Sequence, residues 1–409
     1  NVSWILAATC LVWIMTPGVG FLYSGMARRK NALSLIMLCI LTIPIVSIQY
    51  ICGYSLAFSK TGGPFIGDLR NAFFLNLQWN SSEPEAAFVS KQIPEAELAI
   101  FECMFAVIAS ELIIGGAAER VKLMPMIIFI FIWSTLVYDF IASWCWSDHG
   151  WFTQWGGLDF AGGIPVYISS GAAALAFCIF LGRRRETSNP HNIVNVILGT
   201  LLLWFGWFGF NGGTAAASNS RAVMAFIVTN LAASFSGLTW MFFDYHFEKK
   251  LKAVSFCNGV VAGLVAITPG SGYVDPYAAV VFGVLSGFIC NMAAALVKTK
   301  IKWDDAMDVF AIHGVGGFLG SILTGFFANK DTVFSLNGDK IDGGVINGNY
   351  IQIVKQLSGS CVGLAYSFTV TYIILHVMNS PKYLGWNIEV FKLDGTEGTD
   401  QLEMEESAY

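Results

Sequence analysis

Residues 31–57 read NALSLIMLCILTIPIVSIQYICGYSLA, a stretch without a charged side chain. An α-helix rises about 1.5 Å per residue, so this stretch exceeds the ~30 Å hydrocarbon core of a bilayer and predicts a membrane-crossing helix. The whole chain agrees, because its 409 residues are 55% hydrophobic and only 12% charged. A soluble domain normally has about twice that charged fraction, so the composition excludes one.

Ten further apolar stretches make this an all-α integral membrane protein with eleven predicted transmembrane helices. The predicted spans are residues 3–27, 31–57, 98–118, 123–143, 164–182, 191–211, 222–246, 253–271, 276–297, 306–327 and 350–378. Residues 1–378 thus form a transmembrane domain, and residues 379–409 form a tail that ends in an acidic stretch. A solvated tail and a regulatory tail are both open interpretations.

Basic residues alternate between the two sides of the predicted bundle. Every second loop is rich in Arg or Lys, beginning with Arg28, Arg29 and Lys30, and the intervening loops are poor in them. Because basic loops stay in the cytosol, the N-terminus is predicted outside and the C-terminus in the cytosol. Two Asn-X-Ser triplets, at Asn1 and Asn80, fall on the predicted outer face and are candidate N-glycosylation sites.

Two segments that lie five helices apart resemble each other. Residues 157–171 contain an acid, Asp159, then an aromatic residue and a polar ring before small residues. Residues 308–317 repeat this order with Asp308 and His313. Helices five apart cross in opposite directions, so we expect inverted five-helix repeats around a central pore, with a site near the midplane.

Ionisable side chains inside predicted spans are costly, and each needs a partner or a function. The candidates are Glu102, Glu111, Asp139, Asp159, Asp308 and His313. Of the five histidines, only His313 lies within an apolar, glycine-rich helix. A structural hydrogen bond and a pore role are both open for it. The neighbouring Gly314, Gly316 and Gly317 favour a constriction, because they allow close helix packing.

Aromatic side chains cluster after the fourth predicted span. They are Trp144, Trp146, Trp151 and Trp155. Two further aromatic residues, Phe105 and Phe210, lie inside predicted spans. An interfacial aromatic belt is the common explanation for such tryptophans. Alternatively, aromatic faces bind a small cation with about 0.5–2 kcal/mol each. The sequence has no hydrolase or metal-ligand motif, so it predicts a transporter or channel for a small solute, with no cofactor or metal and no enzymatic activity.

Five motifs together resemble the ammonium transporter family (Amt/Mep/Rh). They are residues 15–31 (MTPGVGFLYSGMARRKN), 101–120, 158–163 (LDFAGG), 207–213 (WFGFNGG) and 308–314 (DVFAIHG). The Cys145-Trp146 region and the Asp159 segment are most similar to fungal, Mep2-like members. The resemblance covers nearly the whole chain. It implies uptake of ammonium or ammonia by a homotrimer in the plasma membrane, with lipid around it and no nucleic-acid partner.

The resemblance also implies roles for single residues. Trp146 corresponds to the tryptophan that receives the cation on the outside, and Phe105 and Phe210 correspond to the stacked pair that gates the pore. Thr214 occupies the position of a serine that usually hydrogen-bonds the substrate. Asp159 corresponds to a buried acid that shapes the recruitment site.

One pore position departs from the family pattern. His313 corresponds to the second of two pore histidines, whereas Tyr167 replaces the first. The family picture is that ammonium loses its proton near the gate, ammonia crosses an apolar pore, and the paired imidazoles relay the proton. A phenol, with a reference pKa of ~10, is a poor relay but can still hydrogen-bond His313. We therefore expect Tyr167 to alter the relay or the ion selectivity.

A second class of function, an ammonium sensor that signals through its cytosolic tail to cytosolic regulators, is the alternative to transport. Truncation of the tail separates the two classes, because a sensor would lose signalling and keep uptake.

Overall fold

The structure, a computed structural model, describes residues 1–79, 93–183, 190–380 and 398–406. Within these ranges, eleven helices are long and apolar enough to cross a membrane, which confirms the predicted fold class. They are α1 (Val2–Met26), α2 (Arg29–Phe58), α3 (Glu95–Ala117), α4 (Leu123–Gln154), α5 (Gly163–Leu181), α6 (Ile193–Gly213), α7 (Ser220–Glu248), α8 (Ala253–Gly270), α9 (Pro276–Ile301), α10 (Phe310–Phe327) and α11 (Ile351–Met378). Shorter helices include Lys330–Asn337 and Thr399–Met404.

Three features named from the sequence lie outside the described residues. They are the second Asn-X-Ser triplet at Asn80, two basic residues of the predicted cytosolic loop after the fifth span (Arg184 and Arg185), and most of the tail (residues 381–397 and 407–409).

The predicted span 123–143 stops shortly before the α-helix of α4 ends. That helix continues to Trp146, Ser147 is extended, and a separate short helix follows at Trp151–Gln154. A π-helical turn at Ser134–Tyr138 is followed by the α-helix Asp139–Trp146. Polar residues such as Asp139 lower the hydropathy of the last turns, yet they are fully buried against neighbouring helices.

Small residues bring the central helices close together. In the most apolar part of each helix, 94% of the residues are buried in α3 and 89% in α5, but only 33% in α11. Helices α3 and α5 therefore lie inside the bundle. A Cβ atom added to Gly171 of α5 would lie 2.3 Å from the backbone nitrogen of Gly314 of α10. Only glycine permits this approach, which joins the two helices that contain the internal repeat.

The internal repeat is present in the structure, but its acidic residue is not the one that the sequence comparison chose. α5 begins with a π-helical turn at Gly163–Ile168, and α10 begins with one at Phe310–Gly314. Asp159 accepts hydrogen bonds from the first turn, and Asp305 accepts them from the second.

The counterpart of Asp159 in the internal repeat is therefore Asp305 and not the predicted Asp308. Asp159 precedes Tyr167, and Asp305 precedes His313, by the same eight positions (159 to 167 and 305 to 313). Asp308 instead forms an ion pair with Lys298 at 2.6 Å and has a backbone φ of 55°. The comparison of sequences was misled because Asp308, like Asp159, is followed one or two residues later by a phenylalanine.

Candidate transport site

Trp146 lies in a buried aromatic pocket at one end of the bundle. Trp146 is only 4% exposed, whereas Trp155, nine residues later in the chain, is 41% exposed. The Trp146 ring stacks on Phe58 at 6.5 Å and meets Phe105 edge-on at 5.9 Å between centroids. Its Nε1 donates a 3.0 Å hydrogen bond to the carbonyl oxygen of Asp159. A belt at the bilayer interface thus fits Trp155 and does not fit Trp146.

Phe105 and Phe210 form a closed stack next to Trp146. Their ring centroids are 3.9 Å apart with 19° between the planes. Both residues are almost completely buried. Since two stacked rings at this distance are in van der Waals contact, no solute fits between them until one ring rotates.

Tyr167 follows the phenylalanine pair and is sandwiched between two rings. It stacks on Trp207 at 5.4 Å and on His313 at 5.8 Å, with 13° and 21° between the planes. Trp207 is held in place by a 2.9 Å hydrogen bond from its Nε1 to Thr268.

The hydrogen bond expected between Tyr167 and His313 is not present among the described residues. Tyr167 Oη and His313 Nδ1 are both buried there without a partner. The two ring planes are nearly parallel, at 21°, with centroids 5.8 Å apart, an arrangement in which the phenol oxygen and the imidazole nitrogen do not point toward each other.

A narrow apolar cavity adjoins His313. Its volume is about 10 Å³, space for roughly one water molecule. The lining is almost entirely apolar and includes Val19, Leu22, Ile108 and Leu112. His313 therefore lies between the aromatic stack and this apolar cavity.

Asp159 acts on the pocket through the backbone. Its carboxylate accepts hydrogen bonds of 2.7–2.9 Å from the N–H groups of Gly162, Gly163 and Ile164. Burial raises the pKa of Asp159 to about 6, although these three N–H groups lower it. Gly162 has a φ of 107°, and a Cβ there would lie 3.2 Å from the Trp146 ring, so only glycine suits this turn.

Thr214, the remaining site residue implied by the resemblance, lies one turn after Phe210, and Asn1, the residue of the first Asn-X-Ser triplet, lies at the surface. Thr214 follows α6 by one residue, and its hydroxyl donates a 2.9 Å hydrogen bond to the carbonyl oxygen of Phe210. Asn1 is exposed, and its Oδ1 accepts a hydrogen bond from the backbone N–H of Ser218.

Eleven apolar helices around a buried file of aromatic rings define a multi-pass membrane protein that moves a small solute. The family model "Ammonium Transporter Family" matches residues 3–409. The chain belongs to the ammonium transporter family.

Similar proteins include fungal members of this family. The chain is 47% identical to ammonium transporter 1 of Schizosaccharomyces pombe over all of this chain and 82% of that protein. The crystal structure of Candida albicans Mep2 is 42% identical, with a TM-score of 0.89 over 96% of this chain and 86% of that one. A solved structure described as a sensor Amt protein is 28% identical, with a TM-score of 0.84 over 100% and 98% of the two chains. The family and these relatives confirm that this chain is a transporter and not an enzyme.

The sequence analysis missed two parts of the site. Trp207 lies within a motif that was recognised, but nothing in the sequence indicates that it stacks on Tyr167. Tyr23 lines the apolar cavity together with His313, and its hydroxyl donates a 3.0 Å hydrogen bond to the Leu112 carbonyl. Its position in the first recognised motif was a signal that could have been followed.

Proposed function

We propose that this chain takes up ammonium across the plasma membrane, and that ammonium loses its proton before it passes the gate. The contiguous series of rings supports this proposal. Centroid distances along the series are 5.9 Å for Trp146–Phe105, 3.9 Å for Phe105–Phe210, 6.1 Å for Phe210–Tyr167 and 5.8 Å for Tyr167–His313.

The chemistry of each position follows from its surroundings. The face of Trp146 attracts a weakly hydrated cation, and the Asp159 carboxylate keeps the loop beside it in shape. Thr214 supplies a hydroxyl oxygen that still has a free lone pair for an N–H donor. Beyond Phe105 and Phe210, an intact cation would lose its water without gaining a carboxylate, which costs several kcal/mol or more. Neutral ammonia avoids this cost.

Tyr167 changes how the proton travels in this proposal. Two imidazoles could pass a proton between nitrogen atoms near neutral pH, whereas a stacked phenol cannot do so easily. We therefore infer that Tyr167 weakens a proton relay to His313 and shifts the balance between flux and ion selectivity.

Electrical recordings test the proposal directly. The purified chain is reconstituted in liposomes, and ammonium- and potassium-triggered currents are recorded beside those of the variant Tyr167→His. We expect ammonium uptake in both proteins and a larger ammonium current in Tyr167→His. Equal currents and equal ammonium-to-potassium selectivity in the two proteins would refute the role of Tyr167. Absence of ammonium uptake in both would refute the transport mechanism.

We further propose that the Trp146 end faces the outside, that Asn1 carries a glycan and that three copies assemble with one pore each. The alternation of basic loops and the exposed position of Asn1 support the first two statements. Loss of a mass increment after endoglycosidase treatment tests the glycan. Native mass spectrometry tests the trimer.

A second function, sensing through the tail, has one supporting observation. The helix Thr399–Met404 docks on the predicted cytosolic ends of two membrane helices. Asp400 accepts hydrogen bonds from the N–H groups of Leu33 and Ser34 at the start of α2, and Glu403 accepts one from Leu123 at the start of α4. The docked segment thus reports on the position of both helices. Deletion of residues 398–409 would leave uptake intact and abolish signalling if this proposal holds.

A further inference from the structure

A buried group of polar side chains, outside the proposed transport path, lies between α2, α3 and α4. We call it the carboxyl cluster, and it consists of Gln49, Tyr50, Glu102, Tyr138 and Asp139. Each of these residues is at most 3% exposed. Gln49 Nε2 donates a 2.7 Å hydrogen bond to Asp139 Oδ2, and it is the only hydrogen bond between cluster side chains in the described part of the chain.

Five polar atoms of the carboxyl cluster lack a hydrogen-bond partner among the described residues. They are Gln49 Oε1, Tyr50 Oη, Glu102 Oε2, Tyr138 Oη and Asp139 Oδ1. The phenols of Tyr50 and Tyr138 nevertheless lie within electrostatic range of the Glu102 and Asp139 carboxylates. The set contains hydroxyl donors as well as oxygen acceptors, and these five atoms are buried without direct hydrogen bonds in the described part of the chain. Water, which both donates and accepts, is the species that bridges such atoms.

The carboxyl cluster contains two acids and no base. In the residues that the structure covers, neither Glu102 nor Asp139 forms an ion pair with Lys, Arg or His. The other titratable groups that face the cluster are Tyr54, Cys103 and Cys145, and none of them carries a positive charge. Burial of a carboxylate without a counter-charge is costly, so a proton must accompany Glu102 and Asp139 at least part of the time.

The carboxyl cluster adjoins the gate through α3. Glu102 and Phe105 are three residues apart on one helix, so their Cβ atoms are about 5–6 Å apart. A second line of contacts runs from the cluster to Trp146. Its ring centroids are separated by 6.2 Å for Tyr50–Tyr54, 5.7 Å for Tyr54–Phe58 and 6.5 Å for Phe58–Trp146.

We propose that the carboxyl cluster accepts the proton that ammonium loses at the gate, an inference that rests on the proposed function. One N–H bond of ammonium breaks, and its electron pair stays on nitrogen to give ammonia. The proton passes through bridging water to a carboxylate oxygen of Glu102 or Asp139, which becomes a carboxylic acid. No electron transfer is involved. The acceptor is needed here because Tyr167 occupies the place of an imidazole next to the gate.

The test combines loss of the acid with restoration of the imidazole. Ammonium uptake and proton movement are measured in liposomes for Glu102→Gln, Asp139→Asn and the double variant Glu102→Gln/Tyr167→His. Glu111→Gln is the matched control, since Glu111 is another buried acid on α3. We expect about a hundredfold less uptake for Glu102→Gln, which is the low end of what a positioned proton acceptor contributes. We expect unchanged uptake for the control and recovery to within about threefold of the starting protein in the double variant.

Unchanged uptake in Glu102→Gln overturns the inference but leaves the proposed function standing. The inference is also overturned if Glu102→Gln lowers uptake equally with Tyr167 and with Tyr167→His. A merely structural role of Glu102 would give this result, because it would not depend on residue 167. If the unaltered chain moves no ammonium, the proposed function itself fails. Should Glu102→Gln not fold, Asp139→Asn and the conservative Glu102→Asp decide the question, with loss expected in the first and retention in the second.

Discussion

Replacement of Asp400 tests whether the end of the chain is anchored to the membrane helices. The start of an α-helix leaves backbone N–H groups without partners, and a nearby side-chain oxygen usually satisfies them. At the start of the α-helical part of α2, no local side chain does so. Asp400, which is 2% exposed, supplies this cap with hydrogen bonds of 2.8 Å to Ser34 N and 3.1 Å to Leu33 N.

The expected size of the effect follows from these two bonds. Loss of a helix cap costs about 0.5–2 kcal/mol, and loss of a negative charge at a helix start costs roughly a further 0.3–1 kcal/mol. The change Asp400→Ala should therefore weaken docking by about 2 kcal/mol, which corresponds to an increase of roughly 30-fold in the undocked population.

Hydrogen–deuterium exchange of the peptide that covers residues 29–38 measures this population. Amide protons at Leu33 and Ser34 should exchange faster by at least this factor of about 30 in Asp400→Ala, because they lose their acceptor as well as the docked helix. The matched control is Gln401→Ala, because Gln401 is exposed on the same short helix. Equal exchange in the two variants would refute the capping role of Asp400.

Three further changes have defined outcomes. Trp146→Leu should raise the KM for ammonium by about 2- to 30-fold, the equivalent of 0.5–2 kcal/mol of cation–π attraction, in uptake assays. Because the pKa of Asp159 is raised to about 6, its carboxylate is mostly ionised at pH 7 and mostly protonated at pH 5. Uptake at constant ammonium should therefore fall as the external pH drops through 6, whereas Asp159→Asn should be slow at every pH. Gly171→Ala should lower thermal stability by about 1–3 kcal/mol, since the added methyl overlaps Gly314, and Gly316→Ala, with no atom closer than 3.3 Å, should be tolerated.

The number of helices could be predicted because it depends on local composition. A bilayer requires about twenty apolar residues for each crossing, and each span meets this requirement with its own residues. The predicted end of α4 falls three residues before the end of its α-helix at Trp146, because polar residues lower the hydropathy of the last turns.

The roles of single residues needed more than local composition. Trp146, Phe105 and Phe210 lie on three different helices, and each is an ordinary apolar residue within its own span. The resemblance to a known family brought them together, and the structure then placed their rings in contact. The partner of Asp159 in the repeat was misassigned for a related reason. Similar letters at a similar spacing favoured Asp308, whereas hydrogen bonds to the turn identify Asp305.

The sequence by itself determined a membrane protein of eleven helices, its family, and a tyrosine in place of the first pore histidine. These properties depend on composition and on the order of residues along the chain. Only the tertiary structure decided that Tyr167 stacks on both Trp207 and His313, and that Asp400 caps a helix more than 350 residues earlier. It also decided that Glu102 and Asp139 lie within electrostatic range of the same two phenols. Such contacts join residues far apart in the chain, and their distances are set by how helices pack, which no single stretch of sequence encodes.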